Sequence, residues 1–314
     1  MHAWEAIQKA VDYIEDTLPQ KHTPEELAGI AALSLFYFQR LFTKLVKRPV
    51  SEYIKMRRLA KACEVLADKN ARILDIALEY GFNSHESFTK NFKSAFGITP
   101  DEYRTNPVPL NQVVKPELLL NYTMIDENVP LITDSIVLEI MRKKLDNAET
   151  YIGLTGKIPI SQQIPVGEAT GIDAPYQLWD SFHKVKPDIP GLLLDGIELG
   201  ASMPGDAENG NFTYFAGASA MSGVSVSAMP SASITGEYSV WELPAGEYVV
   251  CSFEAENFTE LTTTALDKAM KYLFDTWLSN HKLITQPFSA EKYYETTPDS
   301  TRMEIWVMPI PANC

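Results

Sequence analysis

The amino-terminal third of the chain repeats itself. Leu27-Ala28 followed by Phe38, Phe42, Val46 and Tyr53 recurs as Ile76-Ala77 followed by Phe88, Phe92, Phe96 and Tyr103, offset by 49 residues before the turn and 50 after it. Apolar residues three and four apart make each copy two helices around a tight turn, and Gly81 supplies the second reversal. Thr23-Pro24-Glu25-Glu26 reads as a capped helix start, with proline at the first helical position and a returning acid. Ser51 caps a longer helix to Leu66, with Tyr53, Ile54, Leu59, Ala62, Val65 and Leu66 along its buried stripe. The expectation is an all-α double helix-turn-helix over residues 1–105, its two units joined by a rigid connector.

Charge separates this region from the rest. The net charge of the chain is −14, yet residues 1–105 are balanced at +1 and residues 106–314 stand at −15. Between Gln39 and Lys61, Arg40, Lys44, Lys47, Arg48, Lys55, Arg57, Arg58 and Lys61 face the single acid Glu52. A dense positive stretch in an acidic protein is either a footprint for phosphates or a solvated helix face.

The 314 residues have room for two or three domains, and a 45% hydrophobic, 22% charged composition excludes disorder over most of the chain. No apolar run reaches the ~20 residues of a membrane helix. The opening MHAWEAIQKAVDYIEDTL lacks a signal-peptide layout, so a cytoplasmic protein with no membrane partner is expected. Cys63, Cys251 and Cys314 lie far apart without metal-ligand spacing and read as reduced thiols. No catalytic constellation, metal or cofactor is expected.

Residues 106–148 read as a linker and docking segment, led by the proline-rich TNPVPLNQVVKP at 105–116, with a helix at 135–145. From 149 to 314 the pattern is strands at 151–158, 192–202, 212–220, 238–243, 247–254, 291–297 and 302–309, with helices at 176–185 and 262–281. This is an α+β domain of two pseudo-symmetric strand-helix-strand-strand halves, in which Pro244-Ala245-Gly246 turns between adjacent strands.

The stretch ILDIALEYGFNSHESFTKNFKSAFGITPDEYR, residues 73–104, resembles the signature region of AraC/XylS-type transcription regulators, and the likeness covers about Ala3 to Arg104. Ala32 and Lys47 stand where the family usually places glycine, a departure that strains both turns. The resemblance implies double-stranded DNA as partner, with a recognition helix of each copy in the major groove. With Phe38, Leu41, Phe42 and Leu45 inward, the first helix presents Phe36, Gln39, Arg40 and Thr43. Arg40 suits guanine, Gln39 adenine and Phe36 a thymine methyl. The second presents His85, Glu86, Ser87, Thr89 and Lys90, while Lys90, Lys93, Arg57 and Arg58 are expected on phosphates.

WELPAGEYVVCSFEAE, a long helix and EKYYETTPDSTRMEIWVMPI resemble the GyrI-like effector-binding domain, including its integron-associated type. Together the two resemblances point to the Rob-like class, in which a small aromatic or cationic effector bound between the halves alters DNA binding or recruitment of RNA polymerase. On the last strand Arg302, Glu304 and Trp306 share a face, and a carboxylate beside an indole can hold a cation. Glu304 matches the family's buried glutamate; the plainer reading is an exposed Glu304 paired with Arg302. Trp306, Trp241, Tyr214 and Tyr293 complete the expected effector site. Two other classes are a hydrolase of electrophilic small molecules that uses Glu304 and a neighbouring tyrosine, and a regulator that sequesters a protein on its acidic surface.

Overall fold

The computed structural model describes residues 2–66, 70–133, 136–160, 171–204, 210–221, 238–294 and 301–311. Of the positions named above, Met1, Ser135, residues 295–300 and Cys314 lie outside them. The chain forms two compact units, one of residues 1–123 with 166–173 and one of 124–165 with 174–314.

The first unit is helical: α1 (Ala3–Asp16), α2 (Pro24–Ile30), α3 (Leu35–Val46), α4 (Val50–Leu66), α5 (Ile73–Glu79), α6 (His85–Phe96), α7 (Pro100–Thr105) and α8 (Leu118–Tyr122). Thr23 caps α2 reciprocally with Glu26, and Ser34 and Ser84 accept from Tyr37 and Ser87 at the starts of α3 and α6. Phe38 and Phe42 of one copy and Phe88, Phe92 and Phe96 of the other are buried in one core around α4. The segment expected as a linker contributes to both units. Leu110–Asn111 pairs with Gly171–Ile172, α8 buries Leu118 and Leu120, and Gln8 of α1 bonds to Pro116 and Leu118.

The two turns keep their geometry without keeping glycine. Ala32 and Lys47 have φ of 53° and 64°, and their counterparts in the second copy, Gly81 and Gly97, have 75° and 80°. A left-handed residue with a Cβ carries about 1–2 kcal/mol of strain. Ala32→Gly and Lys47→Gly are therefore expected to raise stability by about 1 kcal/mol each in denaturant titrations, after the greater entropy glycine gives the unfolded chain is subtracted.

Among the described residues, the second unit is built on one antiparallel sheet of nine strands. Its eight longer strands are β1 (Val137–Leu145), β2 (Glu149–Pro159), β3 (Glu198–Met203), β4 (Asn211–Ser219), β5 (Ser239–Leu243), β6 (Gly246–Glu254), β7 (Ser289–Tyr293) and β8 (Arg302–Val307). Helix α9 (Ala174–Val185) lies between β2 and β3. Between β6 and β7 runs a helical stretch with α10 (Phe258–Glu260), α11 (Leu266–Lys271) and π-type turns at Leu261–Ala265 and Tyr272–Leu278. The sheet order is β1-β6-β8-β7-β3-β4-β2-β5, with Leu131–Ile132 added beside β1. The expected halves, β2-α9-β3-β4 and β6-helix-β7-β8, meet at β3–β7. Each is preceded by a strand that joins the outer edge of the other half.

Two expectations are corrected here. The segment expected as a helix at 135–145 is strand β1, because all nine of its residues pair with β6 from Val137↔Glu254 to Leu145↔Gly246. Its four-residue apolar spacing fits a helix, but long-range pairing overrides local preference. Strands β5 and β6 are also not paired neighbours. Leu243 and Gly246 are three residues apart, a reach of about 11 Å, yet six strand steps separate their strands in a sheet whose flat width there would be about 29 Å. The sheet must roll until its ends approach. Tyr151, Leu199, Phe215, Tyr248, Val250 and Trp306 fill the inside of the roll, while α9 covers Ile152, Phe212, Ala216 and Ala218 on the outside.

Candidate functional site

In the first unit, alternating burial along α3 leaves Phe36, Gln39, Arg40 and Thr43 exposed, with Phe36 at 68%. Phe36 rests against the edge of Tyr37 with ring centroids 5.5 Å apart. Arg40, Lys44 and Lys47 make no ion pair among the described residues. On α6, Glu86 and Lys90 are exposed, and His85 and Ser87 are half-buried. The Glu86 carboxyl is held below the usual range by its own backbone N–H and by Ser84, which ties it to the start of the helix.

Three expected DNA contacts are reassigned. Arg57 is buried because α4 is enclosed on nearly all sides. It grips Glu15 of α1 with two bonds, Nε–Oε1 at 2.9 Å and Nη2–Oε2 at 2.7 Å, and donates to the Val113 carbonyl. Tyr53 donates to the same carboxylate at 2.6 Å. Arg58 turns back onto the carbonyls of Leu18 and Gln20. The Thr89 hydroxyl is buried without a hydrogen-bond partner among the described residues, at the border of the stripe set by Phe88 and Phe92. Lys55 and Lys61 pair with Glu52 and Glu64, so much of the basic stretch is engaged within the unit.

In the second unit, Glu304 lies inside the roll and is fully buried. Lys143 of β1 donates to its Oε1 at 2.8 Å, Tyr294 to Oε2 at 2.7 Å and the Trp306 indole to Oε2 at 2.9 Å; Arg302 also donates to Oε1. Lys143 and Lys292 lie 5.2 and 3.9 Å from the Trp306 ring centroid. Lys292 in turn pairs with Glu149 of β2 at 2.6 Å, across three strand steps, which the rolled sheet permits. Glu304 thus combines the burial of one reading with the Arg302 partner of the other.

Burial pushes the Glu304 carboxyl up, but bonds from Lys143 and Tyr294 and the charges of Lys143 and Arg302 outweigh it and hold the group below its ordinary value. Glu15 behaves alike, with burial opposed by Arg57 and Tyr53. A carboxyl depressed in the folded state contributes stability above its unfolded pKa of about 4.3, and that stability is lost as pH falls through the folded value. Urea midpoints should therefore hold near pH 6 and fall below about pH 4, with less acid sensitivity in Glu15→Gln.

Tyr214 and Tyr293 do not reach Glu304. Both donate to Glu291, at 2.9 and 3.0 Å, on the helix-covered face, and Trp179 joins them through the Tyr214 hydroxyl. The reason is strand alternation: Tyr293 follows Lys292, whose register partner is Glu304, and so points to the other face. Trp241 sits inside the roll against Tyr151, Phe215 and Phe288. Sequence reasoning missed Lys143, Glu149, Lys292 and Tyr294. The alternation of EKYY against the last strand could have found Lys292, whereas Lys143 was hidden in a segment read as helix.

Among the described residues no helix is long and apolar enough to cross a membrane, and no three His, Cys, Asp or Glu side chains are grouped to hold a metal ion. Residues 144–309 match the model of the GyrI-like small molecule binding domain. The chain belongs to the GyrI-like family. Residues 27–106 of this GyrI-like chain match a helix-turn-helix domain, so the chain joins an AraC-type helix-turn-helix domain to a GyrI-like domain.

Right origin-binding protein of Escherichia coli K12 is 27% identical over 203 residues, covering 64% of this chain and 65% of that protein. The uncharacterized HTH-type transcriptional regulator YbfP of Bacillus subtilis is 40% identical over 105 residues, covering 33% of this chain and 36% of YbfP. The matches thus span about a third to two thirds of these relatives. SAV2435 bound to tetraphenylphosphonium aligns over 55% of this chain and 94% of its own at 16% identity, with a TM-score of 0.39.

Proposed function

We propose that this protein is a cytoplasmic one-component transcription regulator that binds double-stranded DNA sequence-specifically through α3 and α6. A small aromatic or cationic effector binds in the rolled sheet of the GyrI-like unit and alters DNA binding or recruitment of RNA polymerase. The observation that carries the reading is the pairing of form and exposure in the two copies. Each buries its phenylalanines around α4 and turns a polar face outward, with Gln39 and Arg40 free of internal partners among the described residues. Phe36, Thr43, His85, Ser87, Glu86 and Lys90 flank the readers. An effector changes the output only through a difference in its affinity for two states of the chain.

A non-enzymatic role for the GyrI-like unit agrees with the state of its acids and tyrosines. Glu304 is saturated by four donors and kept ionised, and Tyr294 is pushed up rather than activated.

Arg40→Ala is expected to weaken specific binding by about 1–3 kcal/mol and to relax one base position of a selected operator. Lys44→Ala is expected to weaken binding on all sequences alike and to reduce the salt slope by about one. Titrations on selected and random duplexes at several salt concentrations separate the two. Equal losses on both duplexes for Arg40→Ala would remove it as a base reader.

A further inference from the structure

A carboxylate and an indole ring are the parts with which a protein holds an organic cation, and here a side chain of the protein already holds that position. Lys143 places its ammonium 2.8 Å from Glu304 and 5.2 Å from the Trp306 ring centroid. We propose that Lys143 is a tethered occupant of the cation-recognition position of the rolled sheet, and that a cationic effector binds only by displacing it. The inference rests on the reading of the roll as the effector site.

Three cations surround this position, and they differ in how they are held. Lys292 is nearly buried and anchored on Glu149, a pairing separate from Glu304. Arg302 is anchored through Nε on Ser252 Oγ at 2.9 Å and lies over the Tyr294 ring, not over Trp306. Lys143 alone of the three touches both the carboxylate and the indole. It also stands where it can leave. At Lys143 strand β1 pairs, among the described residues, only with β6, through Tyr248, and the lysine side chain is 31% exposed whereas that of Glu304 is at 0%.

The physical consequence is a competition. A fully buried carboxylate without its cations is costly, so the empty site is filled from within. A neutral ligand does not compete for Glu304 and leaves Lys143 in place, whereas a cation must first send Lys143 to solvent. Only the fraction of molecules with Lys143 displaced is competent for cations, and apparent affinity falls by that fraction.

The test uses the full chain and two tetrahedral arylphosphorus probes, tetraphenylphosphonium as the cation and the smaller triphenylphosphine oxide as the neutral compound, titrated by calorimetry. Lys143→Met is expected to tighten tetraphenylphosphonium by about ten- to a hundredfold, while the neutral probe changes by less than about threefold. Lys143→Arg keeps the tethered cation and should bind like wild type. Melting temperatures confirm folding, and Lys143→Gln serves as a second neutral variant.

Equal cation affinity in Lys143→Met and wild type, with the neutral probe still bound, overturns the inference and leaves the effector-site reading standing. Equal tightening of both probes overturns it as well, since a steric effect would suffice. Failure of both probes to bind any variant overturns both the inference and the reading of the roll.

Discussion

Replacing Arg57 by alanine is expected to lower stability by about 3–5 kcal/mol, the cost of leaving a buried charge without its partner. Arg57 and Glu15 side chains are each 10% exposed, and their two-bond contact ties α4 to α1 while Nη1 donates to the Val113 carbonyl. Lysine cannot reproduce the forked geometry, so Arg57→Lys should recover little. The triple change Glu15→Leu, Tyr53→Phe and Arg57→Met removes every member of the network. It should recover most of the loss, because an apolar replacement of a buried ion pair is often neutral. Chemical denaturation followed by helical circular dichroism checks all three. A loss below about 1 kcal/mol for Arg57→Ala would return this residue to the exposed, phosphate-binding role that charge alone suggested.

Glu304→Ala is the second large effect, expected to cost about 3 kcal/mol. It strands the Trp306 N–H and the Tyr294 hydroxyl inside the roll and leaves Lys143 and Arg302 without their carboxylate. The value sits at the low end of the range for broken buried pairs because Lys143 and Arg302 are 31% and 39% exposed and can turn to water. Glu304→Gln keeps acceptor capacity without charge and should lose less stability, yet lose cation binding altogether. Loss of near-ultraviolet signal from Trp306 would accompany the alanine change.

The helical half was legible because a repeat constrains twice: Phe38 with Phe42 and Phe88 with Phe92 confirm one another, and serine caps mark the starts of both α3 and α6. What burial does to a charged residue was not legible there. Arg57 and Arg58 read as surface cations until α1 and the chain around Val113 are placed against α4. In the sheet, the faces of β8 followed from alternation, and with them the neighbourhood of Glu304, Arg302 and Trp306. Tyr214 and Tyr293, named as further candidates for the effector site, meet at Glu291 on the other face, which alternation along β4 and β7 gives once their register is known. Lys143 and Glu149 come to the site only through the roll of the sheet, a property of strand order that no local pattern encodes.

The central claim is that two duplicated helices read one duplex together. Hydroxyl-radical footprinting of the full chain on a selected operator tests it most directly. Two protected segments about 34 Å apart on the same side of the duplex are predicted, with Arg40→Ala weakening the protection at its own segment first. A single protected segment, or two on opposite sides, would contradict it.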